Sequence, residues 1–208
     1  MAGNFGKIKI GVLVSGSGTN LQAIIDGCAA GSIDGQVVCV ISNKESAFGL
    51  ERARNHAIPA HHLDHRQYQD RSEYDAALVS ILQEHAVDLV VLAGFMRIVT
   101  PVLLGAFPDR VMNIHPALLP SFPGLDAQRQ ALEYGVRVSG CTVHFVDPGT
   151  DTGPIILQSV VPVLDEDTEE TLSQRIHVEE HKLYPAAIQL FAEGRLSVHG
   201  RRVKISAK

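Results

Sequence analysis

Apolar runs of strand length alternate with amphipathic, helix-like segments along the first half of the chain. Residues 8–14 form such a run, a turn rich in glycine and serine follows, and residues 19–30 have helical periodicity. Further strands are predicted at 37–41, 60–63, 89–93 and 110–115, and further helices at 47–57 and 73–85. This alternation predicts βαβ units with right-handed crossovers. The expected fold is α/β and Rossmann-like, a doubly wound, mostly parallel sheet with helices on both faces.

The pattern changes after residue 115. Three prolines and a glycine between 116 and 124 predict an irregular loop. The elements predicted beyond it are strands at 141–146 and 155–163, a helix that starts at a sequence resembling a capping box at 167–170, and a closing hairpin at 195–206. The two strands are expected to form an antiparallel addition near the C-terminal edge of the sheet. No repeat or linker interrupts the pattern, so we expect one domain over residues 1–208.

Charge and cysteine usage narrow the class of protein. Eighteen Lys and Arg against 23 Asp and Glu give a formal charge of −5, and no cationic run is present, which argues against a nucleic-acid partner. No apolar run reaches the ~18 residues of a membrane span, and residues 1–7 lack a signal-peptide pattern. The three cysteines form no Cys-x-x-Cys pair, which is typical of a reducing cytoplasm rather than of disulfides or structural zinc.

A glycine-containing turn between the first strand and the first helix is a candidate anion site. Glycines at 16 and 18 let backbone N–H groups approach an anion, and the N-terminus of the helix adds a favourable dipole. The alternative is a tight turn capped by Thr19 or Asn20. Leu21 replaces the third glycine of a dinucleotide fingerprint, and no phosphate-loop Gly-Lys-Ser/Thr is present, so a sugar monophosphate fits better than NAD or ATP.

Candidate catalytic groups end a predicted strand and follow a later one. Asn113 and His115 lie two apart on a strand and point to the same side, so an amide donor and an imidazole can converge on one reacting atom. Asp151 lies in a Gly/Pro-rich loop that can bring a carboxylate to a site. Each residue also has a purely structural interpretation. Asn113 could satisfy backbone groups at a strand end, His115 could be a buried histidine with both nitrogens hydrogen-bonded, and Asp151 could stabilise a turn.

Two histidine groups have spacings that suggest a metal site. The first lies at 56, 61, 62 and 65, where no pair has a ligand spacing on one defined element, so a solvated connection is the better interpretation. The second, His177 to His181, fits His-x-x-Glu-His, an inverted zinc-protease motif. The only acidic residue beyond it, Glu193, is too close on the same helix to complete such a site. We therefore predict no metal.

Several segments together resemble the phosphoribosylglycinamide formyltransferases, the folate-dependent enzymes of de novo purine synthesis, over nearly the whole chain. The segments that carry the resemblance are SGSGTNLQAI at 15–24, SNK at 42–44, AFGLERA at 47–53, LAGFMRI at 92–98, NIHPALLP at 113–120, GCTVHFV at 140–146 and DTGPII at 151–156. Asn-x-His-Pro with a later Val-His-Phe and Asp-x-Gly-Pro is specific for formyl-folate transferases as a class. The opening Ser-Gly-x-Gly-Thr-Asn-Leu singles out the glycinamide ribonucleotide branch.

The resemblance implies a site with two substrates, glycinamide ribonucleotide and the co-substrate 10-formyltetrahydrofolate, and no metal. The catalytic set would be Asn113, His115 and Asp151. The ribonucleotide would be held at its phosphate by Gly18, Thr19 and Asn20 and at its ribose by Glu180. The folate would be bound by Arg71, Met96, Arg97, Ile98, Val99, Asn113, His144, Asp147, Pro148, Gly149, Thr150 and Asp151. Residues 1–100 would form the phosphate-binding half, and residues 101–208 the folate-binding and catalytic half.

The implied reaction moves a formyl group to the glycinamide amine. Asn113 and protonated His115 would donate to the developing oxyanion, and Asp151 would raise the pKa of His115 by electrostatic attraction. One segment departs from the family, which commonly has His-Thr-His where this chain has Asp126-Ala127-Gln128. That leaves His115 as the proton-transfer candidate of this region.

Other functions stay open at this point. A methionyl-tRNA formyltransferase would need a basic C-terminal domain, and a formyltetrahydrofolate deformylase would carry an N-terminal regulatory domain; this chain has neither in its sequence. A non-catalytic nucleotide-binding module on the same fold is a further alternative, against which the three catalytic candidates together argue. We expect a cytoplasmic enzyme, monomeric or homodimeric, with small-molecule partners and without nucleic-acid or membrane partners.

Overall fold

Five parallel strands form one side of a nine-stranded sheet in the computed structural model, which describes residues 6–207. The strand order is β3-β2-β1-β4-β5-β6-β7-β9-β8. The strands are β1 (Ile8–Val14), β2 (Gly35–Ser42), β3 (Ala60–His62), β4 (Leu89–Leu92), β5 (Val111–His115), β6 (Val138–Phe145), β7 (Ile155–Pro162), β8 (Leu196–His199) and β9 (Arg202–Ile205). The chain winds outward from β1 to β3 and then crosses to β4 on the other side. The sheet therefore has its topological switch point between β1 and β4, where α/β folds bind ligands.

Helices cover both faces of the sheet, as the alternating pattern predicts. They are α1 (Thr19–Ala29), α2 (Phe48–Asn55), α3 (Arg71–Glu84), α4 (Pro101–Ala106), α5 (Ala127–Tyr134) and α6 (Glu169–Ala192). Alternate residues of β1 separate two cores: Val12 packs with α1, α2, α5 and α6 on one face, and Leu13 packs with α3 and α4 on the other. Helix α5 was not predicted; it begins directly after Asp126, in the segment that departs from the family.

The second half of the sheet confirms the predicted antiparallel addition. Strand β6 runs antiparallel to β5, with His144 opposite Asn113 and Thr142 opposite His115, and β7 runs antiparallel to β6. The β8–β9 hairpin closes the edge, also as predicted. Strand β6 runs opposite to β5, so its C-terminal end lies beside the start of β5. The chain returns to the end of β5 through the loop that follows β6, residues 146–154.

Helix α6 begins at a capping box, although not with the residues expected. The Thr168 side chain accepts from the Thr171 amide at 3.2 Å, and Thr171 Oγ1 accepts from the Thr168 amide at 3.0 Å, so threonine takes the place of Glu or Gln. Glu169 and Glu170 lie in the first turn, where the helix dipole favours negative charge. This cap fixes the start of the helix that carries Glu180 into the site.

Candidate functional site

A cleft of about 810 Å³ lies across the carboxyl ends of β1, β4 and β5. It joins the turn after β1, the loop after β4, the end of β5, the loops on both sides of β6 and one face of α6. The lining includes Gly18, Thr19, Asn20, Arg71, Met96, Arg97, Ile98, Val99, Asn113, His115, His144, Asp147, Gly149, Thr150, Asp151 and Glu180. Residues far apart in the sequence, which were singled out separately, thus face one space.

The turn after β1 presents a helix N-terminus to this cleft. Gly18 precedes α1 with a left-handed φ of 69°, no side chain caps the helix, and its first turn contains no acidic residue. A Cβ at Gly18 would lie 2.8 Å from the Cα of Gly49, so the close approach of α2 also requires glycine here. Arg52 Nε, from α2, donates to the Ser17 carbonyl of this turn at 2.9 Å. The uncapped N–H groups and the dipole make this end suitable for an anion.

Glu180 enters the same end of the cleft from α6. It is buried, and its Oε2 accepts from Asn20 Nδ2 at 2.9 Å and lies 4.0 Å from Nε2 of His177. Burial raises the pKa of Glu180, although the hydrogen bond from Asn20 and the nearby His177 and His115 act in the opposite direction. His177 lines the cleft beside Glu180, and the sequence singled it out only as part of a metal motif.

Replacing Glu180 with glutamine is expected to stabilise the free protein at neutral pH. A carboxyl group whose folded pKa is raised destabilises the fold increasingly as pH rises through that pKa, and the effect vanishes below its ordinary value near 4.5. Thermal unfolding should therefore show Glu180→Gln melting above wild type at pH 7, with the difference shrinking toward pH 4. The exposed Glu133→Gln should melt like wild type at both pH values. A lower melting temperature for Glu180→Gln at pH 7 would contradict this assignment.

Asn113, His144 and Asp151 form a cluster at the centre of the cleft, in which His144 is buried and the other two are half-buried. Asn113 Nδ2 lies 3.2 Å from His144 Nε2 and 3.4 Å from Asp151 Oδ1. His144 Nδ1 lies 2.9 Å from the carbonyl of Phe145, a contact that fixes the ring. The Asn113 amide is therefore oriented by an imidazole on β6 and a carboxylate from the following loop.

Asp151 is directed into the cluster by its backbone. It has a left-handed φ of 53°, and its Oδ2 accepts from the Gly124 amide at 2.8 Å. Burial raises the pKa of Asp151, but the contacts with His144, the Gly124 amide and His115 outweigh burial and hold that pKa below its ordinary value. The group is therefore a carboxylate at neutral pH.

His115 lies beside this carboxylate and is buried. Its Nδ1 is 3.3 Å from Asp151 Oδ2, and its Nε2 is 2.7 Å from the carbonyl of Phe122. Both ring nitrogens thus face acceptors, which the imidazolium satisfies with its two N–H donors. A hydrogen bond from His115 to a bound molecule would have to replace the one to Phe122.

The loop after β4 forms the opposite wall of the cleft. Met96 and Ile98 are exposed there, at 63% and 52%, while the guanidinium of Arg97 lies 4.9 Å from the centre of the Tyr74 ring. Across the cleft, Asp147 accepts from the Gly149 amide at 3.1 Å and from Thr152 Oγ1 at 2.6 Å, so the 147–152 loop is held in a turn. Exposed apolar side chains beside ordered backbone suit a flat heteroaromatic ligand.

The segment at 126–128 contributes no imidazole to the cleft. Asp126 pairs with Arg129, and Gln128 Nε2 donates to Ser173 Oγ at 3.3 Å across to α6. Sequence patterns missed the two backbone groups that complete the cluster, the Gly124 amide and the Phe122 carbonyl, because backbone groups leave no signature in residue types.

The histidine groups that resembled metal sites have other contacts. His61 Nε2 lies 3.0 Å from His85 Nε2, and the rings of His177 and His181 are stacked 6.3 Å apart. Within residues 6–207, no three His, Cys, Asp or Glu side chains are grouped closely enough to hold a metal ion.

Every helix in that range is too short or too polar to cross a bilayer. Residues 1–5, which belong to the segment searched for a signal peptide, lie outside the described part.

Comparison with known proteins shows the family to which this chain belongs. The formyl transferase family model matches residues 8–188, so the chain belongs to the formyl transferase family. The phosphoribosylglycinamide formyltransferase of Escherichia coli is 48% identical over 92% of this chain and 91% of its own length, and that of Haemophilus influenzae is 44% identical over 96% and 94%. The crystal structure of glycinamide ribonucleotide transformylase 1 from Symbiobacterium toebii superposes with a TM-score of 0.95 at 62% identity, covering 96% of this chain and 94% of that one. Within the family the chain groups with the phosphoribosylglycinamide formyltransferases.

Proposed function

We propose that this enzyme transfers the formyl group of 10-formyltetrahydrofolate to the amine of glycinamide ribonucleotide, a step of purine synthesis. The observation that carries the proposal is the meeting of Asn113, His115 and Asp151 in one cleft whose other end is an uncapped helix N-terminus. The names of the relatives agree with it, since they include a ribonucleotide transformylase and formyltransferases.

The ribonucleotide would occupy the end of the cleft between α1 and α6. Its phosphate would accept from the backbone N–H groups of Gly18, Thr19 and Asn20, where the helix dipole favours negative charge. Glu180, anchored by Asn20, would accept hydrogen bonds from the ribose hydroxyls. The glycinamide amine would then extend toward Asn113.

The folate would occupy the end between the loop after β4 and the 147–152 loop. Its pterin ring would lie against Met96, Ile98 and Val99, and would form hydrogen bonds with backbone groups of both loops. The residues proposed to contact the folate are Arg71, Met96, Arg97, Ile98, Val99, Asn113, His144, Asp147, Pro148, Gly149, Thr150 and Asp151.

The chemistry follows from what the amine attack requires. As the amine adds to the formyl carbon, negative charge develops on the formyl oxygen, and donors aimed at that oxygen lower the barrier. Asn113 Nδ2 and His115 are the donors available, and both are engaged within the free site, so substrate binding would exchange those contacts for the oxyanion. Asp151 would hold both donors in place. A proton must also leave the new amide nitrogen and reach the departing folate nitrogen, through His115 or an ordered water.

The test is substrate dependence. Loss of the formyl group from 10-formyltetrahydrofolate is followed by absorbance with and without glycinamide ribonucleotide. The proposal predicts turnover only with the ribonucleotide and formation of formylglycinamide ribonucleotide. Equal turnover without it would instead identify a deformylase, an activity named for a structural relative from Pseudomonas syringae that is 30% identical with a TM-score of 0.88.

Replacing Gly18 with valine is expected to weaken ribonucleotide binding far more than folate binding. The new side chain would displace the turn from Gly49, and the phosphate would lose donors. Hydrogen bonds to charged groups are each worth about 1.5–3 kcal/mol, so the dissociation constant should rise roughly ten- to hundredfold. Isothermal titration calorimetry with each ligand measures this.

The matched control for Gly18→Val is Gly31→Val. Gly31 also has a positive φ, 74°, but faces open space away from the cleft, so its replacement strains the backbone alone. It should lower stability and leave both affinities unchanged. An equal loss of both ligands in a folded Gly18→Val protein would count against the phosphate assignment.

The proposal also covers metal use, cellular compartment, partners and domain organisation. The reaction needs no metal, and the free thiols of Cys28, Cys39 and Cys141 suit a reducing cytoplasm. We propose small-molecule partners only, in a monomer or homodimer. One domain over residues 1–208 would divide into a phosphate-binding part at 1–100 and a folate-binding and catalytic part at 101–208.

A further inference from the structure

Ser15 links two loops that face different ends of the cleft. It directly precedes the glycine turn and is buried, with 4% of its surface exposed. Its backbone N–H donates to the carbonyl of Gly94 at 3.1 Å, and its Oγ accepts from the Met96 amide at 2.9 Å. Ser15 thus contacts both ends of the turn at residues 94–96, which begins the loop after β4. Gly94 in this turn has a φ of 72°.

The Ser15 hydroxyl extends this link to a third strand. Its oxygen accepts from Met96, and its single hydrogen is donated to Asn43 Oδ1 at 2.6 Å. Asn43 is also buried and lies directly after β2. The bonds therefore join the carboxyl ends of β2, β1 and β4, and a buried hydrogen-bonded network of this kind is rigid.

The glycine turn is held equally firmly on its other side. The Gly16 carbonyl accepts from the Gly49 amide at 3.1 Å, and the Ser17 carbonyl accepts from Arg52. The turn has little freedom relative to α2, so a shift at its start is transmitted through Ser15 to residues 94–96.

We propose that Ser15 is a positioning residue that couples the two substrate sites, so that each substrate binds more tightly when the other is present. The inference rests on the proposed function, because it takes the glycine turn as the phosphate site and residues 96–99 as part of the folate site. A shift that either substrate imposes on its loop passes through this network to the other loop, so the second substrate meets a loop already placed for it. The coupling is reciprocal, since it is a single free energy shared by both ligands.

The test measures coupling rather than activity alone. Glycinamide ribonucleotide is titrated calorimetrically into the enzyme with and without saturating tetrahydrofolate, which has no formyl group to transfer. Wild type should bind the ribonucleotide about fivefold or more tightly when the folate is present. In Ser15→Ala the dissociation constants for the ribonucleotide with and without tetrahydrofolate should become nearly equal, so that their ratio falls toward one. The dissociation constant for the ribonucleotide alone should change by a smaller factor than this ratio does.

Two further serine variants separate coupling from loss of structure. Ser15→Thr keeps the hydroxyl and should keep the ratio of wild type. Ser139→Ala removes an equally buried hydroxyl on β6 that has no partner among residues 6–207, and it should also keep that ratio. If Ser15→Ala does not fold, Ser15→Cys carries the test, because a thiol of similar size is only a weak acceptor for the Met96 amide.

The outcomes separate a failure of this inference from a failure of the proposed function on which it rests. A wild-type ratio near one, or an unchanged ratio in folded Ser15→Ala or Ser15→Cys, overturns the inference. If the enzyme transfers formyl groups while that ratio is unchanged, only the inference fails. If wild type binds neither ligand, the proposed function fails and the inference fails with it.

Discussion

Replacing Asn113 with alanine is expected to lower kcat by about 10²–10³, because losing one donor to a developing oxyanion costs this much in other enzymes. Asn113 Nδ2 lies between His144 Nε2 and Asp151 Oδ1, and these contacts orient the amide in the free site until the oxyanion replaces one of them. The Michaelis constants should change little, since the amide contributes mainly in the transition state. Steady-state kinetics with both substrates measure this.

The matched control is Asn55→Ala, at an exposed position at the end of α2. It should turn over like wild type. If Asn113→Ala stays within a few-fold of wild type while Asn55→Ala does too, the amide is not an oxyanion donor and the cluster has a structural role.

The second large effect is expected for Asp151→Asn, with kcat lowered by about 10²–10⁴, the range expected when the acid–base group that it holds, His115, loses its position. The carboxylate faces the Gly124 amide, Asn113 Nδ2 and His115 Nδ1, which all donate to it if the ring is charged. An amide side chain offers one acceptor oxygen in place of two, so one donor would face an NH₂ group. The substitution also removes the negative charge beside His115.

The pH dependence of stability gives this variant a second readout. A carboxyl group whose folded pKa is lowered contributes stability that is present above its ordinary pKa of 3.8 and is lost as pH falls toward the folded value. Wild type should therefore lose stability faster than Asp151→Asn as pH falls below about 4. The exposed Asp165→Asn, which breaks only a surface pair with Arg137, should match wild type in kcat and in this slope. Near-wild-type activity in Asp151→Asn would remove Asp151 from the mechanism.

Most of the fold was predictable because burial leaves a periodic signature. Strands β1, β2, β4 and β5 are apolar runs largely buried on both faces, and the crossover helices have amphipathic periodicity. Helix α5 was missed because it begins after Asp126 in a left-handed conformation without a side-chain cap, so no start signal marks it in the sequence. The capping residue Thr171 was missed because the expected box requires Glu or Gln at that position.

The site was predictable in part. Asn113 and His115 could be paired from strand geometry alone, since residues two apart point to the same side. Asp151 could not be placed near them from the pattern, because its position depends on the loop path after β6 and on a left-handed φ. The resemblance to a family supplied that grouping, and the cleft brings the three side chains together. Ser15 and Asn43 left no signal, since a buried serine or asparagine at a strand end is ordinary.

The most direct test of the account is a crystal structure of the enzyme with glycinamide ribonucleotide and a folate analogue that cannot transfer its one-carbon group. The account predicts the phosphate on the amides of Gly18 to Asn20 and the glycinamide amine about 3–3.5 Å from the carbon that it attacks. Asn113 Nδ2 and His115 should lie within hydrogen-bond distance of the oxygen on that carbon. A complex with both ligands bound, but with that carbon out of reach of Asn113 and His115, would contradict it.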